Sequence, residues 1–324
     1  MSPLKFESCL AKTIQRLISL RQTGGTDYQA QARLLLYFDH FLVEQKLVEP
    51  RLNQQLIEAY EKTLSHLVPR GRINRMCVVR QLCEYLCRSD PQTYVPEALR
   101  TLSSDNTFVP YIFSAIDVQD LMTAAASLAP AGALRGLTYQ TLLGLLYCTG
   151  LRIGEAMALK LADFHSQDER LYIAEGKFRK ARWVPLSPTT TQALSRYVKQ
   201  RPQTGSHQSL DSPLFLNQRG HCLKHCTVSR TFHRLLQQCG IRGRCRRPRL
   251  HDLRHSFAVH RLLAWYHDGE DINARLPWLA TYMGHVDIRA TQVYLHPTAE
   301  LLEQVNTRFH HHYLQHVNTQ GGTL

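Results

Sequence analysis

The feature that most constrains this chain is a proline-rich segment, residues 88–112, which separates two long stretches of helical periodicity. It reads RSDPQTYVPEALRTLSSDNTFVPYI and contains three prolines, several small polar residues and little regular spacing of apolar side chains. Such a composition is typical of a linker between domains. At 324 residues with 44% hydrophobic residues, the chain is long enough to bury a core on each side. We therefore predict two domains, residues 1–104 and residues 105–324.

The first domain has the apolar spacing of amphipathic helices throughout. In its first helix the apolar positions recur every three or four residues, at Phe6, Leu10, Ile14, Leu17 and Leu20. Glycines at positions 24 and 25 end that helix, and Thr26 or Asp27 is expected to cap the next one. Prolines at positions 50 and 69 separate further segments. The pattern predicts a compact domain of four or five helices.

The second domain is also mainly helical but contains two short β-prone runs. Ser114 or Asp117 is expected to cap the first helix of this domain. Residues 137–147 follow as a second, strongly apolar helix. Residues 171–174 and 182–186 are rich in aromatic and β-branched side chains and flank a basic turn, which predicts a β-hairpin. The expected fold class is therefore mainly α with a small β-hairpin or sheet, an α+β arrangement.

The charge balance points to a polyanionic partner. Lys and Arg number 39 against 26 Asp and Glu, a formal net charge of +13. An excess of this size favours nucleic acid, because basic side chains release counterions when they bind phosphates, although a basic protein without that role is the alternative. Two segments concentrate the charge, the hairpin residues Lys177, Arg179, Lys180 and Arg182 and the run Arg242, Arg244, Arg246, Arg247 and Arg249. We expect both to contact DNA, although the hairpin cations could equally form a solvated turn.

Cysteine and apolar content exclude other classes of protein. Nine cysteines show no secreted-type framework and no signal peptide is evident, so a reducing cytoplasm is expected. The group His221, Cys222, His225, Cys226, Cys239 and Cys245 does not match a standard zinc spacing, and no metal site is expected. No run approaches the ~18 apolar residues of a membrane span, so no membrane association is expected.

The C-terminal stretch MGHVDIRATQVYLH places His285 nine residues before Tyr294. A tyrosine hydroxyl, with a pKa of about 10, attacks poorly at neutral pH unless cations stabilise the phenolate and the group attacked. Candidate cations lie elsewhere. Arg152 stands at an expected helix start, where backbone N–H groups favour an anion, and His251 and Arg254 would share one face of a helix. Each of these residues by itself is equally compatible with a structural role.

Together and in this order, four segments resemble the tyrosine recombinase (phage integrase) family of DNA breaking and rejoining enzymes. They are TGLRIGEAMAL around Arg152, GKFRKARWVPL around Lys177, RLHDLRHSFAVH around His251 and Arg254, and MGHVDIRATQVYLH around His285 and Tyr294. The resemblance implies an all-helical core-binding domain and a catalytic domain that close around double-stranded DNA as a C-shaped clamp. It also implies a site-specific recombinase that cleaves and rejoins strands through a 3′-phosphotyrosyl intermediate.

The resemblance implies a role for each matching residue. Tyr294 is expected to be the nucleophile, and Arg152 and Arg254 to bind the phosphate oxygens and stabilise the transition state. His285 is expected to donate a further hydrogen bond to a nonbridging oxygen. His251 is expected to help move the proton of the tyrosine.

Two assignments keep an alternative. Lys177 is the candidate acid that protonates the departing 5′ oxygen, and Lys180 on the same hairpin competes with it. Glu155, three residues after Arg152, would orient neighbouring cations or simply serve as an acid favoured at a helix N-terminus. The reaction conserves bond energy in the phosphotyrosyl link, so no cofactor is expected.

The segment between the last two motifs, residues 262–278, is longer than chromosome-dimer-resolving members usually have and is similar to that of recombinases carried on transposons and plasmids. We therefore expect integration or excision of a mobile element by a nucleoid-associated homotetramer, with other recombinases of the element as further partners.

An apolar stripe at Leu301, Leu302, Val305, Phe309 and Tyr313 would dock on a neighbouring protomer or on its own domain. The first helix begins near residue 5, so an additional arm-binding domain is not expected. The alternatives are a topoisomerase or hairpin-forming enzyme of the same chemistry, and a catalytically silent DNA-binding accessory protein.

Overall fold

The computed structural model describes residues 4–99, 110–130, 132–174, 181–201, 209–243, 246–285 and 291. The chain divides into two compact units, Met1–Phe108 and Val109–Leu324. Several residues singled out from the sequence lie outside the described part, namely Lys177, Arg179, Lys180, Arg244, Cys245, Tyr294 and the stripe at 301–313.

The first unit is built from helices, which in its described part number four. They are α1 (Ala11–Thr23), α2 (Gln29–Glu44), α3 (Gln54–Thr63) and α4 (Pro69–Cys87). Their apolar faces meet in one core that includes the fully buried Leu35, Phe38 and Leu82. Pro69 stands at the first turn of α4, where its missing N–H removes no helical hydrogen bond.

The start of α2 differs from the predicted cap. Neither Thr26 nor Asp27 caps the helix; the N-cap is Tyr28, which adopts a left-handed conformation (φ 48°) without a side-chain cap. The ring of Tyr28 is buried, and its hydroxyl donates a hydrogen bond of 2.8 Å to Gln81 Oε1 on α4. Tertiary packing of the tyrosine, which the local sequence does not reveal, therefore sets where the helix begins.

The second unit combines helices with one small sheet. Its described elements are α5 (Ala115–Ala126), α6 (Leu134–Thr149), α7 (Ile153–Ala158), β1 (Phe164–His165), β2 (Arg170–Ile173), β3 (Arg182–Pro185), α8 (Pro188–Gln200), α9 (His225–Gln238), α10 (Leu250–His267) and α11 (Ile272–Met283). The expected fold class, mainly α with a small sheet, is confirmed. Of the two candidate caps of α5, Ser114 is the N-cap, and Asp117 completes a capping box with it.

The sheet is antiparallel in the order β1–β2–β3, and it contains the predicted hairpin. In the register of the hairpin, Ile173 lies opposite Arg182 and Leu171 opposite Val184. Leu171, Ile173 and Val184 are buried, so this face of the sheet packs on the core. Strand β1 was not predicted, because two residues are too few to show an alternating pattern.

Helix α6 is the centre of the second unit. It is in contact with α5, α8 and α10, and ten of its sixteen residues are buried, most of them apolar. This burial agrees with the strongly apolar sequence of residues 137–147.

Helices α10 and α11 account for the long segment at residues 262–278. Helix α10 continues to His267, and α11 begins after Asp271, whose side chain accepts hydrogen bonds from the N–H groups of Asn273 and Ala274. The two helices share a small apolar core that includes the buried residues Leu262, Leu276, Leu279 and Met283. This packing brings the C-terminal end of α11 beside the N-terminal half of α10. No helix in the described part of the chain combines the length and apolar character needed to cross a membrane.

Candidate active site

The site begins at the turn between α6 and α7. Helix α6 ends at Gly150, which has a left-handed conformation with φ 61°. A Cβ atom at this glycine would lie 2.4 Å from Cδ1 of Phe257 on α10, so both the conformation and the close approach require glycine. The turn places Arg152 at the N-cap of α7 and directs the Gly150 carbonyl toward α10.

The C-terminal end of α11 collects arginines from three different elements. The carbonyls of residues 282, 283 and 284 lie beyond the hydrogen bonding of the helix itself. The Tyr282 carbonyl accepts from Arg182 Nε of β3 at 2.9 Å, and the Met283 carbonyl accepts from Arg254 Nη2 of α10 at 2.7 Å. The Gly284 carbonyl accepts from Arg152 Nη2 at 3.1 Å. The partial negative charge at this helix end therefore holds three guanidinium groups together.

Glu155 is the second hub of the site. Its side chain is 4% exposed, and Oε1 accepts from Arg152 Nη1 at 2.8 Å and from Arg182 Nη1 at 3.3 Å. Its Oε2 accepts from the Arg152 backbone N–H at 3.1 Å and from Arg182 Nη2 at 2.8 Å. Burial by itself raises the pKa of this carboxyl, but hydrogen bonds and charge from Arg182, and then from Arg152, outweigh it and hold the pKa below its usual value. Glu155 thus both caps α7 and orients two arginines.

Arg254 is the most deeply buried cation of the site, at 1% exposure. Its Nη1 donates to the Gly150 carbonyl at 2.6 Å, and its Nη2 lies 2.8 Å from His285 Nε2. An arginine has no acceptor, so His285 Nε2 must be the acceptor and the imidazole proton lies on Nδ1. The protonated Nδ1 donates a hydrogen bond to the Thr291 hydroxyl oxygen at 2.7 Å. Burial, together with charge from Arg254 and Arg152, lowers the pKa of His285 to about 4, so this residue is neutral at pH 7.

Two more histidines face the arginines from α10. His251 is exposed at the surface of the site, and its ring meets that of the buried His255 edge to face at 4.9 Å between centroids. Desolvation by the surrounding protein lowers the pKa of His251 to about 4, with further lowering from Arg254 and Arg249. Desolvation and the charge of His251 lower the pKa of His255 to about 3. Both rings are therefore neutral at pH 7.

The structure brings together a large part of the predicted set. Arg152 is hydrogen-bonded to Glu155 and Arg254 to His285, both arginines bond to carbonyls at the end of α11, and His251 lies beside them. Lys177 and Tyr294 lie outside the described residues. Chemically, such a cluster of planar cations and neutral histidines is suited to bind an oxyanion such as a phosphate group.

Arg182 is placed differently from the prediction. The sequence groups it with the hairpin cations expected to contact DNA, but its side chain is only 11% exposed and its guanidinium is directed inward to Glu155 and the end of α11. The physical reason is the register of β3, which turns residue 182 toward α7 and α11. Its inward direction, which depends on long-range packing, carries no signal in the sequence.

Three other residues contribute to the site, and nothing in the sequence pattern identifies them. Gly150 and Gly284 act through their carbonyls, and Thr291 acts as the acceptor of the His285 proton. Gly284 is left-handed (φ 68°), and a Cβ atom there would lie 2.8 Å from Arg182 Nη1. Backbone carbonyls are present at every residue, so only the fold shows which of them are used.

A separate group of cations surrounds the start of α10. Arg242, Arg246 and Arg247 are exposed, and Arg249 is half exposed and forms an ion pair of 3.1 Å with Asp252. Their exposure leaves these side chains accessible to an external anion, and contact of this run with DNA stays a prediction. Within the described residues, no group of His, Cys, Asp and Glu side chains is arranged to hold a metal ion.

Comparison with known proteins agrees with this geometry. The sequence profile of the phage integrase family matches residues 112–300. An inferred integrase/recombinase of Sinorhizobium fredii, y4rB, is 35% identical over 306 residues, which cover 93% of this chain and 97% of that protein. The tyrosine recombinase XerD of Listeria innocua is 27% identical over 308 residues, covering 84% of this chain and 97% of XerD.

A solved structure shares the fold at low sequence identity. The Tn1549 transposon integrase in complex with transposon right end DNA has a TM-score of 0.63 at 16% identity, covering 91% of this chain and 98% of that one. The chain described here therefore belongs to the phage integrase family, the tyrosine recombinases that break and rejoin DNA.

Proposed function

We propose that this protein is a site-specific DNA recombinase that cleaves and rejoins DNA strands through a 3′-phosphotyrosyl intermediate. The observation that carries the proposal is the convergence of Arg152, Arg254 and His285 at the C-terminal end of α11. These residues come from three separate elements, and we propose that their side chains bind one phosphate group there.

The proposed reaction is an in-line displacement at one DNA phosphodiester. The phenolic oxygen of Tyr294 forms a bond to phosphorus, and the bond from phosphorus to the 5′ oxygen breaks. The phosphodiester carries one negative charge and the pentavalent transition state about two, so fixed guanidinium groups stabilise the transition state more than the ground state. Arg152 and Arg254 are proposed to supply this stabilisation. Tyr294 follows the buried Thr291 by three residues, and Thr291 is the hydrogen-bond partner of His285.

The protons must also balance. We propose that His251, exposed and neutral at pH 7, takes the proton of Tyr294. A hairpin lysine, Lys177 or in its place Lys180, gives a proton to the departing 5′ oxygen. Religation reverses both proton transfers. The phosphotyrosyl link retains the energy of the broken phosphodiester bond, so the proposed chemistry calls for no cofactor.

His285 requires one change on substrate binding. In the ligand-free site its Nε2 accepts from Arg254, so it cannot donate to a phosphate from that nitrogen. A phosphate beside the ring would favour the protonated imidazolium, because an opposite charge stabilises it. We propose that His285 becomes a donor to a nonbridging oxygen only when the phosphate is bound.

DNA is the proposed partner of both units. The solved structure of the Tn1549 integrase contains transposon DNA, and the chain has an excess of 13 positive charges. Arg242, Arg246, Arg247 and Arg249 provide the exposed cations beside the site, and Arg244, Arg179 and Lys180 are proposed to extend this surface. The helical residues 1–104 are proposed to be the core-binding domain, with residues 105–324 as the catalytic domain.

The biological role proposed is integration or excision of a mobile element, in the cytoplasm and at the nucleoid. Its support is the length of residues 262–278, which α10 and α11 occupy, and the fold shared with a transposon integrase. Two duplex sites require four active tyrosines, so we propose a homotetramer on DNA, joined through the apolar stripe at residues 301–313. Other recombinases of the same element are proposed as further partners.

The central test is a covalent complex. Purified full-length protein is mixed with a duplex that it selects from a random-sequence library, nicked next to the cut so that the freed fragment diffuses away. We expect wild type to give an adduct that survives a denaturing gel, and Tyr294→Phe to give none, because phenylalanine has no nucleophilic oxygen. Tyr172→Phe, a surface tyrosine of β2, is the control and should match wild type.

Four outcomes are possible, and each decides between the alternatives. An equal adduct from wild type and Tyr294→Phe would exclude Tyr294 as the nucleophile, and no adduct from either would favour the accessory protein. Where wild type alone forms the adduct, exchange of strands between two differently labelled duplexes identifies a recombinase. Relaxation of supercoils or formation of hairpins without exchange would identify the same-chemistry alternative instead.

A further inference from the structure

Arg182 stands out because it contacts the site from a strand and is not one of the residues assigned to the phosphate. It is the first residue of β3 and follows directly on the basic hairpin. Its fork of two Nη groups faces both oxygens of Glu155, at 3.3 and 2.8 Å, and its Nε faces the Tyr282 carbonyl at 2.9 Å. A guanidinium held at both edges in this way, with 11% of the side chain exposed, has one fixed orientation.

The charge of Glu155 poses a problem for catalysis that Arg182 solves. A buried carboxylate paired with Arg152 alone would neutralise the guanidinium that has to attract the phosphate. With Arg182 as the second partner, the three groups together carry a net charge of +1. The shared carboxylate can then orient Arg152 without cancelling its attraction for an anion.

The geometry of Glu155 supports this division. Both Glu155 oxygens are bonded to both arginines, and Arg182 contributes two side-chain bonds where Arg152 contributes one side-chain and one backbone bond. Arg182 is also the stronger of the two influences that keep the Glu155 pKa low. Arg152 keeps 21% of its side chain exposed, so it is the member of the group that a ligand can reach.

The contact with Tyr282 adds a positional role. The Tyr282 carbonyl lies in the last turn of α11, three residues before His285, and the next two carbonyls hold Arg254 and Arg152. Arg182 therefore connects β3 to the helix end on which the other arginines are assembled. The glycine at position 284 is needed for this approach, since a Cβ atom would lie 2.8 Å from Arg182 Nη1.

We propose that Arg182 is a positioning residue for DNA cleavage, which balances the charge of Glu155 so that Arg152 remains an effective phosphate-binding cation. The proposal rests on the proposed function. Arg182 does not touch the substrate; it acts through Glu155, Arg152 and the end of α11.

The test uses the nicked duplex and the full-length protein, at saturating protein and below the melting temperature of each variant. Arg182→Gln removes the charge, and we expect single-turnover cleavage to fall by about 100-fold, the effect of misplacing a catalytic group. DNA affinity should change less than about threefold, because many phosphate contacts share it. Arg170→Gln on β2, an exposed arginine paired with Asp168 on the surface, is the control and should cleave like wild type.

The decisive variant carries a second change. In Glu155→Gln/Arg182→Gln no carboxylate opposes Arg152, so we expect the double variant to cleave at least about 10-fold faster than Arg182→Gln. If Arg182 were merely structural, a second buried substitution would slow cleavage further. Arg182→Lys, which keeps the charge but not the fork, should fall between wild type and Arg182→Gln.

Each outcome either supports or contradicts the positioning role of Arg182. Arg182→Gln cleaving as fast as wild type, or a double variant no faster than Arg182→Gln, would overturn the inference and leave the proposed function intact. If Arg182→Gln does not fold, Arg182→Lys decides: measurable cleavage supports the charge role, and a folded protein without cleavage contradicts it. If wild type gives no Tyr294-dependent adduct, the proposed function fails and the inference fails with it.

Discussion

At the scale of single residues, the site is a group of cations held together by acceptors rather than by a ligand. Carbonyl oxygens and one carboxylate occupy the donors of Arg152, Arg182 and Arg254. Holding the guanidinium groups in place before DNA arrives lowers the entropic cost of forming the phosphate site. The three histidines nearby remain neutral, because desolvation and, to a smaller degree, the positive charge around them oppose their protonation.

This neutrality predicts how stability depends on pH. His255 is buried, and its pKa falls from the ordinary 6.5 to about 3 in the folded protein. The unfolded chain therefore binds a proton that the folded chain does not, so the free energy of unfolding decreases as pH falls from about 6.5 toward about 3. One such group contributes up to about 1.4 kcal/mol per pH unit. His251 and His285 act in the same direction.

Tryptophan fluorescence during urea unfolding measures the effect, since all three tryptophans lie in the second unit. We expect His255→Gln to weaken the dependence on pH between 6.5 and about 3 by up to one proton. His66→Gln, an exposed histidine of the first unit, should leave it unchanged. Parallel pH curves for wild type and His255→Gln would contradict the assignment.

At the scale of elements, two helix ends build the site. The end of α6 supplies the Gly150 carbonyl and starts the turn to Arg152, and the end of α11 supplies three consecutive carbonyls and then His285. Helix ends have carbonyls without intrahelical partners, so a site rich in arginine can be assembled on them without additional acidic residues.

Substitution of the glycine at the first helix end tests this arrangement. Gly150→Ala forces a Cβ atom against Phe257 in a left-handed backbone, and we expect a loss of about 1–3 kcal/mol of stability. Cleavage at a temperature where the variant is folded should also fall, because the carbonyl that holds Arg254 is displaced.

Gly154→Ala is the matched control for that substitution. This glycine lies only four residues away, in α7, and a Cβ atom there would meet nothing within 4 Å. Alanine is favoured over glycine in a helix, so the melting temperature should stay the same or rise slightly. Equal melting temperatures for both alanine variants would show that the turn tolerates a side chain.

At the scale of the whole molecule, the arginines discussed above fall into two groups. The arginines of the site are hydrogen-bonded to protein acceptors, whereas the described arginines at the start of α10 are exposed. Long-range attraction to DNA should therefore depend on the exposed set, and catalysis on the arginines of the site.

Salt dependence of DNA binding separates these contributions. We expect Arg246→Ala and Arg247→Ala each to weaken binding to any duplex and to reduce the slope of log affinity against log salt by about 1. Lys160→Ala removes the same charge from a surface ion pair with Asp211 and is the control, which should keep the wild-type slope. An unchanged slope in the two arginine variants would place the DNA interface elsewhere on the protein.

The sequence predicts the elements of this protein well wherever local spacing is sufficient. Most helices of both units and the hairpin of β2 and β3 follow from periodicity and turn chemistry, and Ser114 is one of the two candidate caps of α5. Strand β1 and the start of α2 could not be predicted, because a two-residue strand has no pattern and the buried ring of Tyr28 replaces a polar cap.

The same distinction holds for the site. The sequence by itself determines the family and the candidate residues Arg152, His251, Arg254 and His285, because their chemistry resides in side chains at recognisable spacings. Only the tertiary structure decides that Arg182 points inward to Glu155, and that three carbonyls at the end of α11 hold the arginines. The reason is physical: which acceptors a guanidinium meets depends on the packing of elements that lie between 27 and 132 residues apart in the chain, and neighbouring residues carry no record of it.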